Sequence, residues 1–478
     1  MLTRLQVSGF RNLVDADVRF GPFTCVAGPN GAGKSNLFDA IRFLSALADG
    51  TLGEAAAAVC RGQGGAEEVH GLFHRSGDRV AARMTFVADM VVPWRAVDDL
   101  GQETRASSTL LRYSLELGRR ELPDALTRGP LVLVREELIH LRQRDAPHHL
   151  RFPHSVSDWR RAVVGGRRPA PSFISTEGVG EHRVVVRHAD RGGGVSPVRR
   201  AAVGLPRTML STASGAYSPT ALAARREMQS WQLVQPDPAS LRRPDRFGSP
   251  SRMAGDGSHL AAALHHLAAS QAGAEPRSGP APLDAISARL GELIGGAHSL
   301  QIEVDPERDR LELALLDSGG TIHPAATLAD GVLRLLTFLV LAHGPHTRGV
   351  LCVEDPDHGI HPAQIPAVLN LLTGMGVDPH QTVSQHNPLR QVIVSTHAPA
   401  VLQQVPDDSV VFVRSRAGQA QFLCLPGTWR AADGRHASRD DIEAYLNPVP
   451  SRQAGAGGAS YRRVADREDL GQLPLFPD

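Results

Sequence analysis

Lysine is almost absent from this chain. Of its 51 basic side chains, 50 are Arg and one is Lys34. Abundant Ala, Gly, Pro and Arg beside so little Lys is the mark of a GC-rich coding bias, which substitutes Arg wherever a surface charge is all that is needed. A Lys that survives the bias sits where a planar, fork-shaped guanidinium does not fit. Cysteine is scarce too. The four present include no CxxC pair, which argues against a disulfide framework or a zinc site. Cys25 and Cys352 lie inside apolar runs and read as small buried hydrophobes of a cytoplasmic protein. No apolar run approaches the ~18 residues of a membrane span. The longest apolar-rich stretch, 333–342, reads as a core helix. The first residues, Met1-Leu-Thr-Arg-Leu-Gln-Val, alternate like a strand and lack the layout of a signal peptide. No heptad pattern predicts a long coiled coil, and no repeat of 20 to 50 residues predicts a solenoid.

What is present describes an ordinary globular chain. With 478 residues, 42% of them hydrophobic and 21% charged, it is long enough for two or three units and too apolar to be disordered. The near-neutral balance hides an asymmetry. Between Arg135 and Arg252 there are 20 Arg against 10 acids, so this stretch is basic and the remainder acidic. It is also rich in Gly and Pro. The expected organisation is therefore an N-terminal half at 1–150, a basic, loop-rich insertion at 151–255, a C-terminal half at 256–425 and a tail at 426–478. The tail is polar and Gly-rich until Leu473-Pro-Leu-Phe-Pro. The flanks alternate strand and helix patterns, with strands expected near 5–10, 14–20, 23–27, 80–87, 110–117, 131–134, 349–353 and 391–395. Helices are expected near 35–47, 283–294 and 363–372, and from Asp330 onward, with a hairpin at 300–304 and 311–316. Such alternation predicts an α/β fold with a mostly parallel sheet flanked by helices.

Gly28-Pro-Asn-Gly-Ala-Gly-Lys34-Ser35 fits GxxxxGK[ST] without a gap, between an expected strand and an expected helix. In that pattern glycines let the backbone wrap phosphates, and amide N–H groups at the helix start attract the anion. Lys34 reaches the β and γ phosphates and Ser35 ligates Mg2+. The lone lysine is thereby explained. Far downstream, Val350-Leu-Cys-Val-Glu354-Asp355-Pro is an apolar strand ending in two acids. In this layout one carboxylate holds Mg2+ and the next orients a water for attack on the γ phosphate.

Together these motifs resemble the P-loop NTPase fold of the ABC-type ATPase head found in SMC, RecF and OLD-like proteins, often described as AAA-family ATPases, and in particular its small single-chain members. Val7-Ser-Gly-Phe-Arg-Asn-Leu13 is similar to the family's N-terminal segment. Glu354-Asp-Pro-Asp-His-Gly-Ile-His-Pro362 is similar to its usual Glu-Glu-Pro-Glu-Asn-Gly-Ile-His-Pro. Thr327-Leu-Ala-Asp-Gly-Val-Leu-Arg334 resembles its signature, and Val394-Ser-Thr-His397-Ala-Pro399 its switch-histidine loop. Asp256-Gly-Ser-His and Leu241-Arg-Arg-Pro244 resemble further stretches of the small members. The likeness covers most of 1–150 and 255–415.

The resemblance implies ATP and Mg2+ as ligands. It implies Gly28, Pro29, Asn30, Gly31, Ala32, Gly33, Lys34, Ser35 and Asn36 around the nucleotide, with Ser35 and Glu354 on the metal. Asp355 would polarise the attacking water and His397 would sense the γ phosphate. Ala329, Asp330 and Gly331 would cap the ATP of a second subunit in a homodimer or higher oligomer, with His361 in the loop crossing between the two sites. Physics agrees with that arrangement, because a loop opening a helix at Asp330 presents N–H groups that need an anion not held by their own phosphate loop. Gln102 and Gln143 are the candidates for the family's glutamine loop.

Two departures point to slow hydrolysis. Asp355 is one methylene shorter than the usual Glu, and displacements of ~1 Å can cost about a hundredfold in rate. Ala329 lacks a hydroxyl worth ~1 kcal/mol as one hydrogen bond. The basic stretch at 135–252 reads as a surface that meets DNA or RNA, as one that docks an acidic protein partner, or as a solvated Arg-rich face of GC-biased composition. Trp159 and Trp231 within it read as base-stacking or core residues. Two functions follow from the resemblance. One is an ATPase dimer controlling an action on DNA, in repair or anti-phage defence. The other is a slow ATP-bound sensor whose effector, a nuclease or toxin, is a separate protein, since the 81 residues after His397 show no Toprim-like acidic cluster. A transporter subunit is disfavoured by the absence of Ser-Gly-Gly-Gln.

Overall fold

The computed structural model describes residues 1–60, 66–120, 129–166, 172–190, 196–272, 282–295, 299–344, 347–433 and 435–446. The tail segment at 473–477 therefore lies outside the described residues. Two large sheets build the molecule. A six-stranded sheet runs in the order Gln232–Val234, Gly349–Glu354, Arg390–Thr396, Phe23–Ala27, Val410–Arg416, Gln419–Cys424. Its first five strands pair in parallel and the last is antiparallel. Burial on both faces explains why these strands read as continuous apolar runs rather than alternating ones. Along Phe23–Ala27 every residue is buried, yet the two faces serve different cores. Val26 joins one core with Val350, Cys352 and Ile393, whereas Cys25 and Ala27 join the other with Leu351, Val353, Val392 and Val394.

The second sheet is larger and was not expected as such. Eight strands pair antiparallel throughout, in the order Val198–Ala201, Val184–Arg187, Ser172–Glu177, Leu131–His140, Leu110–Arg119, Arg83–Val91, Leu2–Ser8, Ala16–Arg19. The expectation of a mostly parallel sheet thus holds for only one of the two. Its period-two strands follow one another with few helices between them, which is the connectivity of an antiparallel sheet. The basic stretch supplies its last three strands, together with the helix Pro219–Gln229. Trp159 and Trp231 are core residues, 0% and 4% exposed.

The helix Lys34–Leu47 lies between the two sheets. Leu37, Phe38, Ile41, Phe43, Leu44 and Leu47 are all buried in the core shared with the antiparallel sheet. Phe43 meets Phe10 and Phe86 with ring centroids 5.9 and 5.6 Å apart. The other face of the parallel sheet is covered by the helices Leu260–Ala272, Pro282–Ile294, Asp330–His343 and Ile365–Met375. A three-stranded antiparallel sheet, Ser299–Asp305, Arg310–Leu316 and Ile322–Pro324, packs beside them. Among the described residues no helix is long and apolar enough to cross a membrane.

Candidate functional site

The phosphate loop leaves the carboxyl end of Phe23–Ala27, the central strand of the parallel sheet, and enters the helix at Lys34. Its glycines answer specific demands. Gly31 and Gly33 have φ of 74° and 114°, in the left-handed region that side chains disfavour. A methyl on Gly28 would lie 2.1 Å from the Val413 carbonyl oxygen, so this residue is required by close approach of the next strand. No side chain caps the helix start. The first intrahelical bond runs from the Leu37 N–H to the Gly33 carbonyl at 3.1 Å, so the N–H groups of Gly33 to Asn36 are available to an anion, while that of Ala32 donates to the Pro29 carbonyl.

Lys34 is 7% exposed. Its ammonium donates to the carbonyls of Gly28 (2.7 Å) and Pro29 (3.0 Å). Burial lowers its pKa, and the charges of Asp355 and Glu354 oppose that shift. The two carboxylates, some 320 residues away in sequence, are thus the acids facing the lone lysine. Glu354 ends the strand Gly349–Glu354 and is buried. Asp355 follows it at φ 42°, its N–H donating to the Ser395 carbonyl at 3.0 Å. Asp tolerates this left-handed backbone better than longer side chains do, which gives a local reason for the shorter acid.

His397 follows the adjacent strand Arg390–Thr396, and its Nδ1 lies 3.0 Å from Asp355 Oδ1. Both are partly open to solvent, 41% and 36% exposed. The loops are tied a second time, since Thr396 Oγ1 donates to Asp357 Oδ1 at 2.9 Å and accepts from the Ala398 N–H at 3.0 Å. An open cavity of about 470 Å³ adjoins the loop, lined by Pro29, Asn30, His397, Phe412 and Tyr445 among others.

The remaining expected residues occupy different places. Asn36 turns its side chain to the Phe10 to Leu13 turn, donating to Asn12 Oδ1 (2.7 Å) and accepting from Arg11 (3.1 Å). Arg11 also pairs with Asp39, so the Phe10 to Leu13 turn is clamped to the phosphate-loop helix. Ala329 is the N-cap of the helix Asp330–His343 and makes no side-chain cap bond. A methyl on Gly331 would lie 2.5 Å from the Gly359 carbonyl oxygen, so the signature packs directly on the turn after the acidic strand. Among the described residues no hydrogen bond or ion pair joins Ala329, Asp330 or Gly331 to residues 28–35. His361 is exposed and accepts from the Ala363 N–H at 3.3 Å. Gln102 sits in a hairpin turn, its N–H donating to Asp98 (2.9 Å), and Gln143 opens the short turn Gln143–Asp145.

Two arginines escaped the sequence reading of roles. Arg242 donates to Asp330 and, at 2.8 Å, to the Leu328 carbonyl, bracing the signature from outside. Arg334, 7% exposed on the signature helix, has its pKa lowered by burial, and the charges of Asp330 and Asp355 oppose that shift. The Leu241-Arg-Arg-Pro244 stretch signalled the first, but its contact with Asp330 spans 88 residues of chain.

The residues fit a magnesium nucleotide. Open N–H groups, two left-handed glycines and a buried ammonium make an anion cradle. Mg2+ commonly takes one or two carboxylates plus substrate phosphates and water, which Ser35 and Glu354 can supply.

Comparison with known proteins agrees. Residues 208–403 match the family described as "AAA domain, putative AbiEii toxin, Type IV TA system", and residues 4–51 match an "AAA domain" family. The chain is 56% identical over 41 residues to the OLD nuclease of Thermus scotoductus, covering 9% of this chain and 8% of that protein. It is 51% identical over 45 residues to the DNA replication and repair protein RecF of Magnetococcus marinus, covering 9% and 12%. It is 40% identical over 83 residues to the chromosome partition protein Smc of Bordetella petrii, covering 17% and 6%. These matches span about an eighth or less of each relative's length. These partial matches support an ABC-type or AAA-family ATPase head of the kind found in the SMC, RecF and OLD-like group.

Proposed function

We propose that the protein binds Mg-ATP and hydrolyses it slowly, in a head dimer that encloses two nucleotides and controls an action on DNA. The observation that carries this reading is the convergence of Lys34, Glu354, Asp355 and His397 at one end of the parallel sheet. Gly28 to Ser35 would enclose the phosphates, with Lys34 leaving its own loop carbonyls for the β and γ phosphates. Ser35 and Glu354 would hold Mg2+, which when bound neutralises phosphate charge. Asp355 would orient the attacking water and accept its proton, and His397, hydrogen-bonded to Asp355, would fix that carboxylate and meet the γ phosphate. Ala329, Asp330 and Gly331, remote from their own phosphate loop in hydrogen bonding, would complete the site of a second copy. His361 would lie in the loop between the two sites.

The basic strands and turns of 135–252 would meet the DNA backbone. The short likeness to the DNA replication and repair protein RecF supports an action in repair, and defence against foreign DNA is the other action proposed. A second reading is supported by the shortened Asp355 and the hydroxyl-free Ala329: a long-lived ATP-bound state that regulates a separate effector protein. Phosphate release by purified protein with ATP and Mg2+, lost in Lys34→Ala, tests the enzymatic core of both. Equal release by the variant would remove the site assignment.

A further inference from the structure

The helix Asp330–His343 has two ends in different surroundings. Its N-terminus carries the signature, while Val340 and Leu341 in its last turns wall a separate cavity of about 210 Å³. Met253, Ala263 and Leu267 add to this apolar lining, beside the polar Ser251 and Thr347. Three nitrogen-bearing side chains line the same cavity, the half-buried Gln232 and the exposed Arg252 and His266. Among the described residues Arg252 makes no hydrogen bond or ion pair, and His266 touches only the ring of His265, at 6.0 Å. The Arg252 guanidinium is partly shielded by the cavity wall, which lowers its pKa, and among the described residues no acidic neighbour acts on it. Among the described residues no carboxylate lines the cavity.

A mostly apolar pocket with a few convergent polar groups is the usual form of a small-molecule site. A guanidinium pairs with a carboxylate through two parallel N–H···O bonds, which fixes the end of the ligand that remains at the rim. The charge and the walls together select a ligand with an apolar body and one anionic head. A cation would meet Arg252 unfavourably, and a polar dianion would leave Met253, Leu267, Val340 and Leu341 against unmatched charge.

We propose that this cavity binds a small amphipathic monocarboxylate, its apolar body on Met253, Leu267, Val340 and Leu341 and its head on Arg252. Occupancy bears on the far end of the same rigid helix, where Asp330 and Gly331 lie, and so adjusts the signature's approach to nucleotide. The coupling clause rests on the dimer reading above; the binding clause does not.

Octanoate is the probe, titrated calorimetrically into the full chain without nucleotide. One saturable site is expected, weakened at least tenfold in Arg252→Ala, whose exposed position leaves the melting temperature unchanged. Arg252→Glu should lose octanoate and accept octylammonium instead. Absence of saturable binding, several equivalent sites, or equal affinity in both variants would overturn the proposal. Octanoate should also shift the half-saturating ATP concentration at least twofold in the wild type and not in Arg252→Ala. Intact octanoate binding with an unchanged ATP response overturns the coupling alone. Loss of ATP turnover under every condition would count against the reading of the ATP site and leave the binding result standing.

Discussion

Asp355 and His397 directly follow neighbouring parallel strands and meet through a 3.0 Å hydrogen bond between Oδ1 and Nδ1. Either residue alone is a common acid or a common loop histidine. Together they form one unit, because each sets the orientation of the other, and Thr396 with Asp357 ties the same two loops again.

Removing either member should therefore cost about as much as removing both. Asp355→Asn and His397→Ala are each expected to lower the ATP turnover number by ~10²-fold, the usual scale for a positioned acid or base. The double variant should fall no further than about threefold below the worse single one. Steady-state phosphate release measures all four proteins, and additive losses would separate the two roles.

Arg242 braces the signature without touching the phosphate loop. Arg242→Ala should reduce ATP turnover about tenfold and weaken ATP-dependent dimerisation. It should barely change the melting temperature, because a partly exposed ion pair contributes at most ~1 kcal/mol. Sedimentation with Mg-ATP and thermal unfolding check the two halves of this statement.

Gly331 cannot carry a side chain without displacing the Gly359 backbone, 2.5 Å from the added methyl. Gly331→Ala is expected to destabilise the fold by ~1–3 kcal/mol and to abolish turnover. Gly204→Ala, in open space, is the control that should do neither. Denaturant unfolding and phosphate release read both outcomes.

Glu136 is fully buried on the strand Leu131–His140 and accepts N–H bonds from Met209 (2.7 Å) and Leu210 (2.8 Å). Burial pushes its pKa up to about 7. A carboxyl whose folded pKa exceeds its unfolded one binds more protons when folded. Its contribution is therefore fully present below ~4.5 and is lost as pH rises towards about 7. Wild-type melting temperature should fall between pH 5.5 and 7.5, and Glu136→Gln should flatten that slope. An equal slope in the variant would assign the effect elsewhere.

If the basic strands of 135–252 meet DNA, affinity should drop at least tenfold between low and physiological salt, as counterion release demands. Arg199 and Arg200, on the exposed edge strand Val198–Ala201, are the first residues to replace. Their double change to Ala should reduce both affinity and salt slope in a fluorescence anisotropy titration. A flat salt response would favour a protein partner.

The chain itself determined the local chemistry. A single lysine in a lysine-poor sequence, the glycine spacing around it and the apolar run ending in two acids are contiguous patterns, and contiguous patterns are legible because the backbone fixes their geometry within a turn or a strand. Cys25 and Cys352 likewise read correctly as buried, both within 1% of full burial. Tertiary structure decided what depends on which segments become neighbours. Strand order turned half the expected parallel sheet into an eight-stranded antiparallel one, because period-two patterning specifies a buried face but not a partner. It placed Asn36 on the Phe10 to Leu13 turn, Arg242 on Asp330 and His397 on Asp355, and it set Arg252 over an apolar cavity. Those pairings join residues 24, 88 and 42 positions apart. Such contacts arise from loop closure and packing, which no stretch of sequence read alone contains.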